Sequence, residues 1–289
     1  MRFKLIFFLL LFSSLNLFSQ NNLLDILNNQ QPSTSFSKYI FKGTKIINSQ
    51  SVEMPDNGVL QFMIQHRFGT LNSGFYNLFG LDNSQVRIGL DYGLNKFLSI
   101  GLGRSSSLKA IDSNLKIRIA RQSKGQINFP FTMCFNSAIA IKQFLFSEIK
   151  NSDFLFANQF AYTNQFLIAR KFSREFSLQI SPTLVHYNLL PLNQINHDQF
   201  SIGYGARYKL NNRMSINVES FYQLNSENNI NQLSFGFDIE TGGHVFQLHM
   251  TNSAFMIDRA FIHETYDSWL EGDIYFGFNI SRVFTLKDK

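Results

Sequence analysis

Gly272-Asp273-Ile274-Tyr275-Phe276-Gly277-Phe278-Asn279-Ile280-Ser281-Arg282-Val283-Phe284 alternates with period two. Ile274, Phe276, Phe278, Ile280 and Phe284 share one parity, and Tyr275, Gly277, Asn279 and Ser281 share the other. Successive side chains of a β-strand point to opposite faces, so the segment predicts a strand with one bulky apolar face and one small polar face. It lies close to residue 289 and finishes on an aromatic side chain. Such a strand must pair with a first strand if the sheet is to lose both edges. The residues between them must then supply an even-numbered meander.

They do so at regular intervals. Segment 59–68 sets Leu60, Phe62 and Ile64 against Gln61, Gln65 and Arg67. Segment 85–93 sets Val86, Ile88, Leu90 and Tyr92 against Arg87, Gly89 and Asp91, and 97–104 sets Leu98, Ile100 and Leu102 against Ser99, Gly101 and Gly103. Further strands are expected at 114–122, 127–141, 157–170, 176–186, 200–210, 214–222, 233–240 and 244–252. With the last one this predicts an all-β fold, a twelve-stranded antiparallel up-and-down transmembrane β-barrel. Connections alternate between short ones, such as Asn211-Asn212-Arg213 and Thr241-Gly242-Gly243, and long ones, such as 69–84 and 253–271. Asn-Asn and Gly-Gly suit tight hairpins. One end of the sheet is therefore tight and the other loop-rich, with both termini at the tight end, as in outer-membrane barrels.

Composition says which face is outside. A water-facing strand face needs dense charge, with about a quarter of a soluble chain charged. Here only 16% is. The polar parity is mainly Gly, Ser, Asn, Gln and Thr, which suits a confined lumen, while the apolar parity suits lipid. Tyr92, Phe97, Phe172, Phe176, Tyr208 and Phe284 fall beside the tight turns, where an aromatic girdle is expected. Pro130 and Pro182 resist a closed ladder and are expected at bulges or strand ends.

Residues 1–20 read as a signal peptide, with Arg2 and Lys4 before an apolar core and Ser19 near the cleavage zone. The expected location is the outer membrane. Residues 21–57 form a periplasmic leader, and 58–289 the barrel. Part of that leader, Phe41-Lys42-Gly43-Thr44-Lys45-Ile46-Ile47, looks extended and belongs either at the barrel mouth or inside it. The single cysteine, Cys134, has no intramolecular partner and reads as a small buried thiol. Net charge is +6, but the basic residues are dispersed, so no nucleic-acid partner is expected.

Four stretches resemble one known group: 240–253, 272–282, Phe41-Lys42-Gly43-Thr44 and His66-Arg67-Phe68-Gly69. They resemble a family of Bacteroidetes β-barrel proteins catalogued only as a domain of unknown function. The resemblance implies an outer-membrane-type barrel and implies no activity, so no functional residue carries over.

The lumen parity predicts a charge cluster of Arg67, Arg87, Lys116, Arg118, Arg207 and Lys209 with Asp91, Glu219, Asp238 and Glu240. One reading is a slightly basic pore passing small anionic solutes; the other is an internal ion-pair network, with Arg207, Glu219 and Asp238 on successive strands. The expected partners are membrane lipid and small anionic solutes, with no cofactor. The six His form no metal signature: His244 and His249 differ in parity, and His66 and His249 are expected to point inward together. His186, His197, Asp198, His263 and Glu264 fall at the loop-rich end without a hydrolase motif, so no catalysis is expected. Gly101-Leu102-Gly103-Arg104-Ser105 lacks the helix a phosphate loop needs. The long loop 253–271, carrying Phe255, Met256, Phe261 and Trp269, is the alternative basis of function, a plugged or adhesive barrel.

Overall fold

Antiparallel strands joined by tight turns can close on themselves only if the last pairs with the first. In the computed structural model they do: twelve strands close into one barrel among the described residues. These residues are 33–143, 155–191, 195–225 and 230–287. The expected signal peptide, residues 21–32 of the leader and parts of three long connections lie outside them. The strands are β1 (Val59–Thr70), β2 (Ser84–Gly93), β3 (Leu98–Ser105), β4 (Ile111–Ala120), β5 (Thr132–Ile141), β6 (Phe160–Lys171), β7 (Phe176–Tyr187), β8 (Asp198–Lys209), β9 (Met214–Gln223), β10 (Gln232–Thr241), β11 (His244–Thr251) and β12 (Tyr275–Thr285). Each pairs antiparallel with its neighbours, and β12 closes on β1 through Ile280–Ile64 and Phe284–Leu60. A separate small unit pairs Ser35–Phe36 with Ser123–Lys124.

The faces are inverted relative to a water-soluble protein. Leu102 is 58% exposed and Ile119 54%, whereas Arg67, Gln65 and Asn136 are 0% exposed. Leaving a large apolar side chain in water forgoes about 1.5–3 kcal/mol. A row of them on every strand would consume the whole net stability of a domain, about 5–15 kcal/mol. Lipid removes that cost, and the lumen receives the polar set.

Four strand starts differ from expectation by three or more residues: one begins at Phe160 rather than 157, the last begins at Tyr275 rather than 272, and the other two change the reading of the lumen and the ladder. The fourth strand begins at Ile111 rather than 114, which brings Asp112 onto the lumen face. The fifth begins at Thr132 rather than 127, so Pro130 precedes the ladder and removes no strand hydrogen bond. Pro182 is neither at a bulge nor at an end. Its strand keeps register with β6, Gln165 opposite Thr183 and Ile168 opposite Ile180, but the two pairs between them are missing. A proline without a donor is accommodated there by a local lapse in pairing. The register shifts occur elsewhere, at Arg118–Ala120 and Tyr275–Gly277.

Candidate functional site

The lumen is occupied by the chain itself. Residues 40–53 enter from the tight-turn end, where Gly58 accepts from the Leu286 amide at 2.9 Å. They fold into a narrow hairpin closed by Ile46 N–H to Ser49 O and Ser51 N–H to Thr44 O, both 2.9 Å. A buried turn leaves its backbone groups without water, so each needs a partner. The barrel wall provides them. The Glu219 carboxylate, 1% exposed, accepts from the amides of Ile47 at 3.1 Å, Asn48 at 2.9 Å and Ser49 at 3.0 Å, and from Ser49 Oγ at 2.7 Å. Carbonyls along the hairpin are met by wall donors. Lys116 Nζ donates to Ser51 O at 2.9 Å, Glu53 O at 3.2 Å and Thr44 O at 3.3 Å. Arg207 donates to Tyr39 O at 3.0 Å and Ile40 O at 3.2 Å. Asn279 donates to Ile47 O at 2.9 Å, and Gln179 to Gln50 O at 2.7 Å.

Apolar side chains of the hairpin seat where the wall has no side chain. A Cβ on Gly205 would lie 2.3 Å from Ile46 Cδ1, and one on Gly236 2.9 Å from Ile47 Cγ1. Ile40, Phe41, Ile46 and Val52 pack against Cys134, Leu167 and Ala169, an apolar cluster on the inner wall. Cys134 is buried there, its thiol 3.4 Å from Val52 O.

From the loop-rich end the connection between β11 and β12 folds inward. It carries a short helix, α1 (Asp258–His263), every residue of which is buried. Phe261 meets Phe221 edge-on with centroids 5.5 Å apart. Tyr187 donates to Arg259 O at 2.9 Å, and Arg259 pairs with Glu264 at 2.9 Å. The two insertions touch: Lys45 Nζ lies 3.3 Å from Asp258 Oδ1, and Gln50 Nε2 lies 3.5 Å from Asp258 Oδ2. A vestibule of about 540 Å³ remains at the tight-turn mouth beside Lys42, Thr44 and Glu53, while the cavities deeper in the lumen measure only about 20 Å³ next to Lys45 and about 10 Å³ next to Asp258. Each of these deeper cavities has room for about one water.

The residues singled out by sequence distribute as follows. Arg67, Arg87, Lys116, Arg207, Glu219 and Asp238 are buried in the lumen, and Asp91, Arg118, Lys209 and Glu240 are partly buried toward the tight-turn end. Arg207, Glu219 and Asp238 do not pair with one another. Glu219 and Arg207 bind hairpin backbone, while Asp238 accepts from Ser215 at 3.1 Å and Gln247 at 2.6 Å. Arg87 does not pair with Asp91. Its Nε donates to Asp112 at 3.0 Å, a partner hidden from the sequence reading because 105–113 read as loop. Asp91 instead accepts from Thr44 Oγ1 at 3.0 Å, Glu240 pairs with Lys42, and Arg67 donates to Asn48 Oδ1 at 2.7 Å.

Arg118 and Lys209 engage the tight turns, donating to Lys96 O at 3.2 Å and Asn212 Oδ1 at 3.0 Å. Tyr92, Phe97, Phe172, Phe176, Tyr208 and Phe284 stand on the outer face beside those turns, partly or largely exposed. His66 is a correction: it faces outward, stacked on Phe278 at 4.8 Å, because it shares the parity of Phe62 and Ile64. His249 alone points inward, 3.0 Å from Arg67. At the rim His186 meets Asp198 at 2.7 Å and His197 Nδ1 lies 2.5 Å from Tyr187 O, while His263 and Glu264 belong to the inserted loop. Among the described residues no three His, Cys, Asp or Glu side chains gather as metal ligands would.

Fold and lumen together define a membrane β-barrel filled by two of its own segments. The chain belongs to the family described as membrane bound beta barrel domain (DUF5777), which matches residues 41–284. The match takes in the hairpin from Phe41 onward, α1 and all but the end of the last strand. No curated protein matches the chain. Among solved structures it is similar to the NanC porin, at 9% identity over 79% of this chain and 100% of that one, with a TM-score of 0.48. It is similar to the KdgM porin, at 6% identity over 78% and 99%, with a TM-score of 0.47. Outer membrane phospholipase A from Escherichia coli is similar at 9% identity over 79% and 91%, with a TM-score of 0.46. At this similarity no activity transfers from any of them.

Proposed function

We propose that the protein is a non-catalytic outer-membrane barrel closed in its resting state, a conduit for small solutes only when its inserted segments leave the lumen. The tight turns and both ends of the barrel domain then face the periplasm. One observation carries the reading: the leader hairpin and the α1 loop meet end to end through Lys45, Gln50 and Asp258. The wall they rest on is polar. An emptied lumen of Gln, Ser, Asn and charged groups exchanges its hydrogen bonds for bonds to water, at about 0.5–1.5 kcal/mol net for each bond lost. An apolar lining would collapse instead.

Lipid is the partner of the outer face. With the plugs out, Arg67, Arg87, Lys116, Arg118, Arg207 and Lys209 would line the bore against Asp91, Asp112, Glu219, Asp238 and Glu240, which favours anions mildly. The test is planar-bilayer conductance. The intact protein should be silent, and so should variants with only 40–52 or only 254–266 replaced by Gly-Ser linkers. The double replacement should give stepwise, mildly anion-selective conductance. An intact protein that conducts, or a folded double variant that does not, contradicts the reading.

A further inference from the structure

The outer wall carries an apolar groove of about 290 Å³ whose floor and walls include Ile168, Leu178, Ile180, Tyr204, Ala206 and Val218. All six lie on the outward parity, so the groove opens to lipid and not to the lumen. Its depth has a cause in register. Leu178, Ala206 and Val218 form one cross-strand row, and Ile180, Tyr204 and Ser220 form the next. Ala206 and Ser220 are small beside Tyr204, Leu178 and the two isoleucines, and they leave a trough between larger walls. The pairing lapse at Pro182 adjoins Ile168 and Ile180 on the same side.

The groove ends at a cation. Arg170 stands opposite Leu178 in the first row, near the tight-turn end, and its guanidinium lies 5.0 Å from the Phe172 ring centre and 5.7 Å from that of Phe131. It is exposed on the lipid side and has no carboxylate partner among the described residues. An arginine at the edge of a hydrocarbon belt is tolerated when it reaches the headgroup level, and its planar fork matches a phosphodiester. The aromatic rings fix its direction.

We propose that this groove is a phospholipid site. One acyl chain lies in the trough over Ala206, and the Arg170 guanidinium binds the phosphate of the same molecule in the leaflet on the tight-turn side. Charge and shape select this occupant: an apolar trough for the chain, with a single unpaired cation at the depth where a phosphate sits.

The experiment is native mass spectrometry of the detergent-purified barrel titrated with phosphatidylglycerol or with diacylglycerol of the same chains. The wild type should retain one phosphatidylglycerol and bind diacylglycerol more weakly. Arg170→Gln should weaken phosphatidylglycerol by about tenfold, the size of one charge-assisted hydrogen bond at a wet interface. Ala206→Trp, which fills the trough from the lipid side, should abolish the adduct while heat-modifiable gel mobility reports a folded barrel. Unchanged binding in the folded Ala206→Trp protein, equal affinity for diacylglycerol, or no effect of Arg170→Gln each overturns the proposal.

Discussion

Glu219 shows how one side chain converts a barrel wall into a receptor for backbone. Its two oxygens take three consecutive amides and a hydroxyl from the hairpin tip, and a further bond from Gln232 at 3.1 Å. Hydrogen bonds to a charged group contribute about 1.5–3 kcal/mol each, and orphaned buried donors cost a similar amount. Glu219→Ala should therefore loosen the hairpin by about 2–4 kcal/mol while leaving the strand ladder intact. Trypsin added to membranes opened to the periplasmic side checks this: Lys42 and Lys45 are protected in the wild type and cut in the variant. Equal protection would show that the hairpin does not depend on this carboxylate. The lumen parity of Glu219 was legible in its strand, but its partners were not. They come from a segment without periodicity, and alternation in one strand carries no information about a guest lying across it. His66 differs: it shares the parity of Leu60, Phe62 and Ile64, so the signal for its outward direction was in the sequence.

At the scale of elements, α1 and its flanks form the second plug. The helix is short and its face was not readable as amphipathic, because all six of its residues are buried on every side by the wall and the leader. His263 within it is wholly buried, and desolvation pushes its pKa from an ordinary 6.5 down to about 3. A lowered folded-state value means that the docked loop holds the neutral ring while the undocked loop takes up a proton. Docking is then at full strength above about pH 6.5 and weakens as pH falls toward 3, by about 1.4 kcal/mol per pH unit. The protection factors of 255–266, referred to the intrinsic exchange rate at each pH, should fall between pH 7.5 and pH 5, and His263→Phe should remove that dependence. A loop whose protection factors are equal at both pH values in the wild type would contradict the burial of a neutral imidazole. The strands themselves were legible because their pattern is local: parity, turn residues and loop lengths all sit within short windows. Asp112 escaped because the strand edge at Ile111-Asp112-Ser113 carries too few residues to establish a phase.

At the scale of the molecule the sequence yields a barrel turned inside out but leaves open whether it is empty. The glycines on the lumen parity read as room in the bore, and in the structure that room at Gly205 and Gly236 is taken by Ile46 and Ile47. The polar wall that suggests a pore is also the wall that satisfies a folded-back leader, so composition cannot separate the two. The distinction lies in one contact, Asn48 Nδ2 to Ser234 Oγ at 3.3 Å, between the hairpin tip and the tenth strand. With Cys134→Ala to remove the native thiol, Asn48→Cys and Ser234→Cys should be joined in membranes by a short, membrane-permeable bismethanethiosulfonate, since the native side chains at the two positions meet end to end. The account predicts a non-reducing gel shift and no labelling of either position by an impermeant maleimide. Labelling at position 48 with no bridge would place the leader outside the lumen and contradict the closed barrel.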